Sequence, residues 1–546
     1  MITKIFSIFL LFSLVIAADK NYNRPQFHLT PEKGWMNDPN GLWYDQKDKI
    51  WHAYYQHNPN STVFASPISW GHSTSKDLIK WDYHGVAVKA DNKDEDIFSG
   101  SIVIDKNNTS GFFNDDVDPE QRVVMVYTSN FPGAQTQAIG YSTDGGYTFI
   151  KYDGNPVINT HSSSQRDPKM FWHEESEKWI MVVVDAQVYN YQIYSSSDLK
   201  KWEQVSTFQK KGYLGGQYEC PGLIKVPIEN PDDGQPDYKW VLYLSINPGS
   251  PIGGSAVEYF IGDFDGETFT PDDGASRFMD FGKDFYALQT FDNTRDEDGV
   301  VGLAWASNWQ YSSYVPTDGW RSSTSMVRRF TLRNVKLNPS ETGLNLIQTP
   351  VWETEDTLDD GSLKNWYMIN EYDVEDTILN KWSKVETDFN SETNSSGVLE
   401  FNLTFAITDF SAGLQDGPHT LAVNILSQEV DGSKDKFQLV FDLLGRSWYL
   451  DRGNGNAFQR DTPVFDERLS FYHESQQTGD KGPLYNIYGI VDRNVLELFV
   501  EYGQYALTNT FFFDNGRIPT SIEVVSNYEQ SFATIQSFVA RELALK

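Results

Sequence analysis

Three carboxylic acids in this 546-residue sequence lie in short motifs that also contain a proline. They are Asp38 in "WMNDPNG", Asp167 in "RDP" and Glu219 in "YECPG". Two carboxyl groups about 5 Å apart can hydrolyse a sugar linkage, because one protonates the leaving oxygen while the other attacks the anomeric carbon. A third acid can bind sugar hydroxyls and stabilise the oxocarbenium-like transition state. These residue types therefore fit glycoside hydrolysis, provided that the fold brings them together.

Each motif also has a plainer interpretation as a turn. Asp-Pro-Asn-Gly and Arg-Asp-Pro are ordinary turn sequences, and most such segments only redirect the chain. What favours chemistry is that all three acids fall at one position of a sequence repeat. Acids brought together without basic partners repel each other, a cost that structure alone has no reason to accept.

The repeat is an apolar, β-rich segment that occurs five times, beginning at Ile50, Val123, Trp179, Trp240 and Val300. Its spacing of roughly 55–75 residues suits antiparallel blades of about four strands joined by long loops. Short strands, turns rich in Gly, Asp and Ser, and the lack of a convincing amphipathic helix indicate an all-β region. We predict a five-bladed β-propeller over residues 19–350.

A second set of segments precedes these five strands, and it carries the acids. Aligning the segments places Asp38, Ser99, Asp167, Glu219 and roughly Ala287 at one phase of the repeat. If the segments are the innermost strands, their beginnings surround the propeller axis. The three acids would then converge in one funnel.

The C-terminal part of the chain has a different pattern. Residues 351–388 are acidic and lose the repeat, which predicts a connector with one short structured piece. Residues 389–546 show mostly alternating strands; Leu399 and Phe401, for example, would face one way and Glu400 the other. This alternation predicts a C-terminal β-sandwich without a catalytic cluster. Asp492 is expected to be an ordinary hairpin-turn residue.

The N-terminus predicts secretion into the extracellular or cell-wall space. Residues 1–18 have one Lys, an apolar run from Ile5 to Ile16 and then small residues, as a signal peptide does. About twelve apolar residues are too few to span a bilayer of roughly 30 Å, and no later run is long enough. Glycosylation is predicted at the five Asn-x-Ser/Thr sequons, Asn60, Asn107, Asn108, Asn394 and Asn402.

Composition excludes several classes of partner and cofactor. The sequence has 44 Lys and Arg against 76 Asp and Glu, a formal charge of −32, so nucleic acids and anionic membranes would be repelled. Nine scattered His residues give no metal-ligand spacing. No metal or other cofactor is expected, and the single cysteine, Cys220, cannot form an intramolecular disulfide.

Four motifs, "WMNDPNG", "FSGS", "RDP" and "YECPG", occur in an order and spacing that resemble glycoside hydrolase family 32. The resemblance implies a five-bladed β-propeller followed by a β-sandwich. It also implies retaining hydrolysis of terminal β-fructofuranosides, chiefly sucrose, through a covalent fructosyl-enzyme and without a metal. In this sequence Asp38 would be the nucleophile, Glu219 the general acid/base and Asp167 the transition-state stabiliser. Arg166 would hold the carboxylates and substrate hydroxyls.

The resemblance further implies a set of residues that line the fructosyl site or its approach, namely Asn37, Gln56, Phe98, Ser99 and Trp309. Each has a structural alternative, since the aromatic residues could be core residues and Gln56 a strand-end hydrogen bonder. Phe64 departs from the family pattern, in which many members have a Trp. Substrate preference or the tendency to transfer fructose is therefore expected to differ.

The residues around the acids lead to expectations about their charge. Amide donors on Asn37 and Asn40 would favour the ionised form of Asp38, as a nucleophile requires. Glu219, between Tyr218 and Cys220, is expected in a less polar setting that raises its pKa, as a general acid requires. Cys220 could tune this acid through a weak S–H contact, or it could be a buried hydrophobic residue.

Several alternatives stay open at this stage. Fructosyl transfer or exo-inulinase activity would use the same covalent intermediate. A non-catalytic, lectin-like fructoside-binding protein would be expected to lack at least one acid, whereas all three are present. A related propeller enzyme acting on arabinofuranosides would also use three carboxylates. The resemblance implies sucrose, raffinose and short fructans as substrates. It also implies a dimer or larger homo-oligomer that forms through the sandwich.

Overall fold

The computed structural model describes residues 22–352, 364–389, 395–411, 419–455, 458, 461–466, 470–514 and 516–546. These residues form β-sheets, with short 3₁₀ helices at Pro119–Gln121, Ala186–Val188 and Pro463–Phe465. The predicted all-β fold is therefore confirmed. The predicted signal peptide and the sequon at Asn394 lie outside the described residues. Within the described ranges, no helix has the length and apolar character needed to cross a bilayer.

Five sheets follow one another along residues 34–350, and in each of them successive strands pair antiparallel, mostly in chain order. The first two sheets contain β1 (Gly34–Asp45), β2 (Ile50–Asn58), β3 (Ser69–Ser75) and β4 (Asp82–Val88), then β5 (Asp96–Ile104), β6 (Val123–Phe131), β7 (Ala134–Ser142) and β8 (Ile150–Lys151). The third contains β9 (Gln165–His173), β10 (Lys178–Asp185), β11 (Asn190–Ser196) and β12 (Glu203–Gln209). The fourth contains β13 (Tyr218–Pro227), β14 (Tyr238–Ile246), β15 (Ala256–Phe264), β16 (Phe269–Pro271) and β17 (Arg277–Phe278). The fifth contains β18 (Tyr286–Thr290), β19 (Val300–Trp305), β21 (Arg328–Asn338) and β22 (Glu341–Pro350).

The first strands of these sheets form a closed ring. Strand β1 contacts β5, β5 contacts β9, β9 contacts β13, β13 contacts β18, and β18 returns to β1. Strand β20 (Trp320–Arg321) comes from the last repeat and pairs in parallel with the start of β1. The Gly34 N–H donates to the Gly319 carbonyl at 2.8 Å at the same junction. The predicted innermost strands therefore surround one axis, as in a five-bladed propeller.

Apolar side chains fill the spaces between neighbouring sheets. Trp70 and Ile102 belong to the cluster between the first and second sheets, and Trp51 and Val301 to the cluster between the fifth and first. Similar clusters occupy the other three spaces. Burial of apolar surface stabilises a fold by about 25 cal/mol per Å². These clusters hold the blades at fixed angles and so fix the strands that carry the acids.

Two further sheets pack face to face in the C-terminal part. One contains β23 (Trp366–Leu379), β25 (Val398–Ile407), β30 (Gln477–Gly479), β31 (Gly482–Asp492), β32 (Val495–Val500), β33 (Tyr505–Thr510) and β35 (Ala533–Leu545). The other contains β24 (Val385–Glu386), β26 (Thr420–Ser427), β27 (Lys436–Asp442), β28 (Ser447–Asn454), β29 (Ser470–Tyr472) and β34 (Pro519–Ser526). Leu399 and Phe401 enter the core between them, as the alternation predicts. The C-terminal β-sandwich is confirmed.

The predicted connector over residues 351–388 contains more structure than expected. Its 14-residue strand β23 pairs with β35 and forms the edge of one sandwich sheet. Acidic side chains on this strand include Glu371, Asp373 and Glu375. Charged side chains are a common feature of edge strands, since they discourage unwanted pairing. The same charges make the segment look like a connector in the sequence.

Buried ionic contacts join the propeller to the sandwich. Arg328 on β21 donates to Glu497 on β32 at 2.6 Å and to Asp280 at 2.9 Å. The His28 ring lies 2.8 Å from Asp492 and 3.1 Å from Glu497. Burial lowers the pKa of His28. Hydrogen bonds to Asp492 and Glu497, together with the negative charges of these two residues, outweigh burial and raise the pKa to about 9. Asp492 is therefore an anchor between the two parts, and not only a turn residue.

Candidate active site

Each of the five innermost strands has an irregularity in its pairing at an equivalent level. The irregularities fall at Asp38 in β1, at Ser99 in β5, at Asp167 in β9, at Cys220 in β13 and at Ala287 in β18. A β-bulge adds a residue to one strand and changes the direction of its side chains. This ring coincides with the predicted repeat phase at Asp38, Ser99, Asp167 and Ala287, whereas in β13 the irregularity falls at Cys220, one residue after Glu219.

Three residues in this ring have a left-handed backbone. The φ angles are 63° at Asp167, 43° at Cys220 and 54° at Ala287. Such a conformation costs free energy for a residue with a Cβ atom and is concentrated at functional sites. The irregularity around Asp38 and its counterparts therefore orients side chains toward the axis at the expense of regular pairing.

Asp38 is buried and accepts three hydrogen bonds. The donors are Ser99 Oγ at 2.8 Å, Asn37 Nδ2 at 3.0 Å and Cys220 Sγ at 3.4 Å. Trp35 Nε1 donates to Asn37 Oδ1 at 2.7 Å and thereby orients the Asn37 amide. Burial raises the pKa of Asp38 and the charge of Glu219 adds to this, while the three donors lower it. Burial therefore destabilises the ionised form of Asp38, and the three hydrogen-bond donors offset part of that destabilisation.

Asn40, which we expected to be a second amide donor to Asp38, has other hydrogen-bond partners. With its oxygen turned toward Gln56, the Asn40 amide accepts from the Gln56 side-chain and backbone N–H groups, each at 3.1 Å. Gln56 Nε2 also donates to the Ile97 carbonyl at 3.1 Å. Gln56 on β2 therefore links β1 to β5. The donor role expected of Asn40 belongs to Ser99 and Cys220.

Asp167 lies on the other side of the Cys220 sulfur. Its Oδ2 accepts from the Cys220 backbone N–H at 3.0 Å and lies 3.8 Å from Sγ. Arg166 Nε is 3.8 Å from the same oxygen. Burial raises the pKa of Asp167 to about 7; Arg166 opposes this rise, and the charges of Glu219 and Asp38 add to it. The pKa of the Cys220 thiol is raised well above its usual value by burial and these acids, so the sulfur stays protonated.

Glu219 has polar partners on both carboxyl oxygens. Arg166 Nη2 donates to Oε1 at 2.9 Å and Gln217 Nε2 at 3.1 Å, while the Tyr286 hydroxyl donates to Oε2. The expected less polar setting is absent, because neighbouring side chains in a strand point to opposite faces. The Tyr218 hydroxyl accordingly binds Lys211, away from the carboxyl group.

Sequence reasoning missed Tyr286 and Gln217. Burial raises the pKa of Tyr286 well above its usual value, with the charge of Glu219 as the next cause, so the phenol stays a proton donor. A signal for Tyr286 was present, because it directly precedes Ala287 at the repeat phase of the acids. Gln217 gave none, since it lies before the strand in a Gly-rich loop.

An aromatic cluster lies next to the acids. Trp309 lies with its ring centroid 5.8 Å from Trp35, 4.9 Å from Trp305 and 5.6 Å from Phe64. Phe64 is 41% exposed and lies 6.3 Å from Phe98. Phe98 and Trp309 are only partly buried. Both residues pack in this cluster and keep exposed surface, and their place in a fructosyl pocket stays a prediction.

The arrangement as a whole can act on a sugar linkage. Asn37, Ser99 and Arg166 contact the acids directly, and Phe98 and Trp309 belong to the adjacent aromatic cluster. Asp38 has donors that stabilise a carboxylate, and Glu219 has its own, separate set of partners. Two carboxyl groups with different environments are what acid-assisted nucleophilic displacement at a sugar carbon requires. Among the described side chains, no group of three or more His, Cys, Asp and Glu residues could hold a metal ion.

Comparison with known proteins agrees with this geometry. The family models for the N-terminal and C-terminal domains of glycosyl hydrolases family 32 match residues 28–350 and 373–541. An invertase of Wickerhamomyces anomalus is 58% identical over 540 residues, covering 99% of this chain and 98% of that protein. An extracellular exo-inulinase of Meyerozyma guilliermondii is 45% identical over 491 residues, covering 90% of each chain.

A solved structure extends the match to three dimensions. It is the β-fructofuranosidase from Schwanniomyces occidentalis complexed with fructosyl-erythritol, which has a TM-score of 0.89 and 47% sequence identity. The match covers 97% of this chain and 99% of that chain. Motifs, fold and relatives agree over nearly the whole length, and the chain therefore belongs to glycoside hydrolase family 32.

Proposed function

We propose that this protein is a secreted, retaining β-fructofuranosidase that hydrolyses sucrose to glucose and fructose. The observation that carries the proposal is the pair of differently held acids: Asp38 with its three donors, and Glu219 between Arg166 and Tyr286. The 58% identity to an invertase supports the choice of sucrose. No metal or cofactor is needed for this chemistry.

The first step forms a covalent intermediate. A carboxylate oxygen of Asp38 attacks the anomeric carbon of the fructosyl group, while Glu219 gives its proton to the glycosidic oxygen. The bond between that carbon and that oxygen breaks, and glucose leaves. The donors from Ser99, Asn37 and Cys220 hold Asp38 ionised and aligned for the attack.

The second step releases fructose. Glu219, now a carboxylate, takes a proton from water, and the water oxygen attacks the same carbon. The bond to Asp38 breaks, so both acids return to their starting states with retained configuration. Asp167 accepts hydrogen bonds from fructosyl hydroxyls and stabilises the positive charge of the transition state. Arg166, between Asp167 and Glu219, keeps these two acids in place.

A second candidate activity is the release of terminal fructose from inulin-type fructans or its transfer to another sugar. The exo-inulinase relative favours it. Phe64, which contacts Trp309, lacks the indole N–H of the Trp that many family members have at this position, so substrate preference is expected to differ. The lectin-like alternative is disfavoured because all three acids are present and supplied with partners. Raffinose and short fructans are the further substrates that we propose.

We also propose that secretion and self-association follow the sequence expectations. The mature chain would begin near Asp19 and carry a propeller domain to residue 350 and a sandwich domain whose first strand, β23, begins at Trp366. A dimer or larger homo-oligomer would use β23, an edge strand with exposed Tyr367, Met368 and Ile369. Light scattering of the wild-type protein and of Met368→Lys would test this, since a charge on the edge should reduce the assembled mass.

To test the activity, the purified protein is incubated with sucrose, and free glucose and free fructose are then measured separately. Equal amounts support hydrolysis. Glucose in excess indicates that fructosyl groups pass to other sugars. If neither sugar appears while the Asp38→Ala variant binds fructosides as the wild type does, the lectin-like alternative replaces the enzyme.

A further inference from the structure

A side chain from the sandwich reaches the propeller close to the candidate active site. Arg452 on β28 is 4% exposed. Its Nη1 donates to Asp284 Oδ2 at 2.6 Å, and its Nη2 donates to the Tyr311 hydroxyl at 2.7 Å. The guanidinium also lies 3.5 Å from the ring centroid of Phe465. Because guanidinium binds through a rigid fork, it fixes the relative positions of these groups.

The first propeller partner, Asp284, belongs to the segment that leads into β18. Asp284 is fully buried and also accepts from the Thr510 N–H at 2.8 Å and from Thr510 Oγ1 at 3.1 Å. Tyr286, two residues further on, donates to Glu219. Two sandwich residues thus hold the chain immediately before the tyrosine that contacts the proposed general acid.

The second partner, Tyr311, belongs to the loop that carries Trp309. The Tyr311 hydroxyl also donates to Asp284, so the loop and the start of β18 share one anchor. Asn308 links the same two segments, because its Nδ2 donates to the Lys283 carbonyl at 2.9 Å. Trp309 follows Asn308 directly and packs on Trp35.

We propose that Arg452 is a positioning residue for the reaction, through which the sandwich aligns Tyr286 on Glu219 and Trp309 in the pocket wall. The inference rests on the proposed function and assigns the sandwich a part in it. Removal of Arg452 leaves the buried Asp284 carboxylate without its cation, which a protein relieves by moving the charged segment or admitting water. A movement of 1 Å at a reacting group can reduce the rate about 100-fold.

The test compares two substrates in Arg452→Lys and Arg452→Ala. One is sucrose, whose leaving group needs a proton from Glu219; the other is fructosyl fluoride, whose leaving group departs without one. We expect kcat/KM for sucrose to fall by about 10- to 100-fold in Arg452→Ala and by less for fructosyl fluoride. Arg452→Lys should recover part of the loss, because the ammonium restores the charge without the fork.

Arg328→Lys is the matched control, since Arg328 is also a buried arginine between propeller and sandwich but pairs with Asp280 and Glu497. It should lower the melting temperature without changing the ratio of the two kcat/KM values. Equal losses for both substrates in Arg452→Ala, or an unchanged ratio in all variants, would overturn the proposal.

A second variant protects the test against a folding failure. Tyr286→Phe removes the hydroxyl through which Arg452 is proposed to act, so in that background Arg452→Lys should no longer affect sucrose more than fructosyl fluoride. Additive effects of the two substitutions would also contradict the inference. Failure of the proposed function itself is distinguishable, because the wild-type protein would then release fructose from neither substrate.

Discussion

The sulfur of Cys220 lies between two of the acids, 3.4 Å from Asp38 Oδ2 and 3.8 Å from Asp167 Oδ2. The sequence places Cys220 next to Glu219, but the hydrogen bond of its thiol goes to Asp38. We therefore expect Cys220 to affect the pKa of the nucleophile, Asp38, and not that of the general acid, Glu219. Cys220 is also buried, so its hydrophobic and polar roles coexist.

Replacement of Cys220 by Ala is expected to move the acid limb of the kcat/KM profile to higher pH. The thiol donates to ionised Asp38 and lowers its pKa, so losing the donor raises that pKa. Activity that needs the carboxylate is present above this pKa and disappears as the pH falls through it. At pH values on the limb, kcat/KM should drop roughly fivefold, as expected for about 1 kcal/mol. Cys220→Ser keeps a donor and serves as the control; superimposable limbs for Ala and wild type would refute this role.

Asp38→Ala and Glu219→Ala should each lower turnover of sucrose by several orders of magnitude. The two variants should differ on fructosyl fluoride, where Glu219→Ala retains much of the first step and Asp38→Ala does not. Stopped assays on both substrates measure this, and circular dichroism melts check that folding is preserved. A fully active Asp38→Ala protein would show that the nucleophile is elsewhere.

Stability should depend on pH through His28. Its pKa is raised to about 9 in the folded protein from an ordinary value of 6.5, so the protonated ring stabilises the fold fully below pH 6.5. That contribution is lost as the pH rises through about 9 and amounts to about 3 kcal/mol. Urea unfolding of wild type and His28→Gln at both ends of this window measures the difference. Parallel pH dependence in the two proteins would contradict the assignment.

Glycan mapping of the secreted protein should distinguish the overlapping sequons. Asn108 has φ of 52°, and its amide donates to the Phe113 carbonyl at 2.7 Å and accepts from the Phe113 N–H at 3.1 Å. Asn107 and Asn60 are exposed. We expect Asn107→Gln to remove a glycan and Asn108→Gln to leave the occupancy unchanged, measured by mass spectrometry of tryptic glycopeptides. A glycan found on Asn108 in the folded protein would contradict this expectation.

The propeller and its acids were accessible from the sequence because both repeat. Each blade presents an apolar strand after an innermost strand, and the predicted phase coincides with the ring of bulges at Asp38 and Asp167 and lies one residue from it at Glu219. Alternation along Leu399 and Phe401 likewise predicted a half-buried sandwich sheet. Repeats and alternation are local patterns, and a single sequence displays them.

The features that the sequence did not predict depend on contacts between segments that are distant in the chain. The surroundings of Glu219 could not be deduced from Tyr218, since the partners come from Arg166 and Tyr286 on other blades. Arg452 and its partner Asp284 carry no motif that relates them. The strand in the predicted connector was hidden because its charged residues face solvent at a sheet edge. Each case requires knowledge of which surfaces meet, and no local pattern records that.

The parallel pairing of β20 with β1 has a consequence for biosynthesis. β1, which carries Asp38, is synthesised first. Of the two strands that pair with it, β2 follows at once, but β20 is synthesised only after the first strand of every other blade. Until residue 320 has emerged, Gly34 and Trp35 at the start of β1 lack these backbone partners and can pair with another strand. Chains shortened before that point should be captured by chaperones and remain sensitive to protease. The start of the strand that carries the nucleophile is therefore paired on both edges only near the end of propeller synthesis.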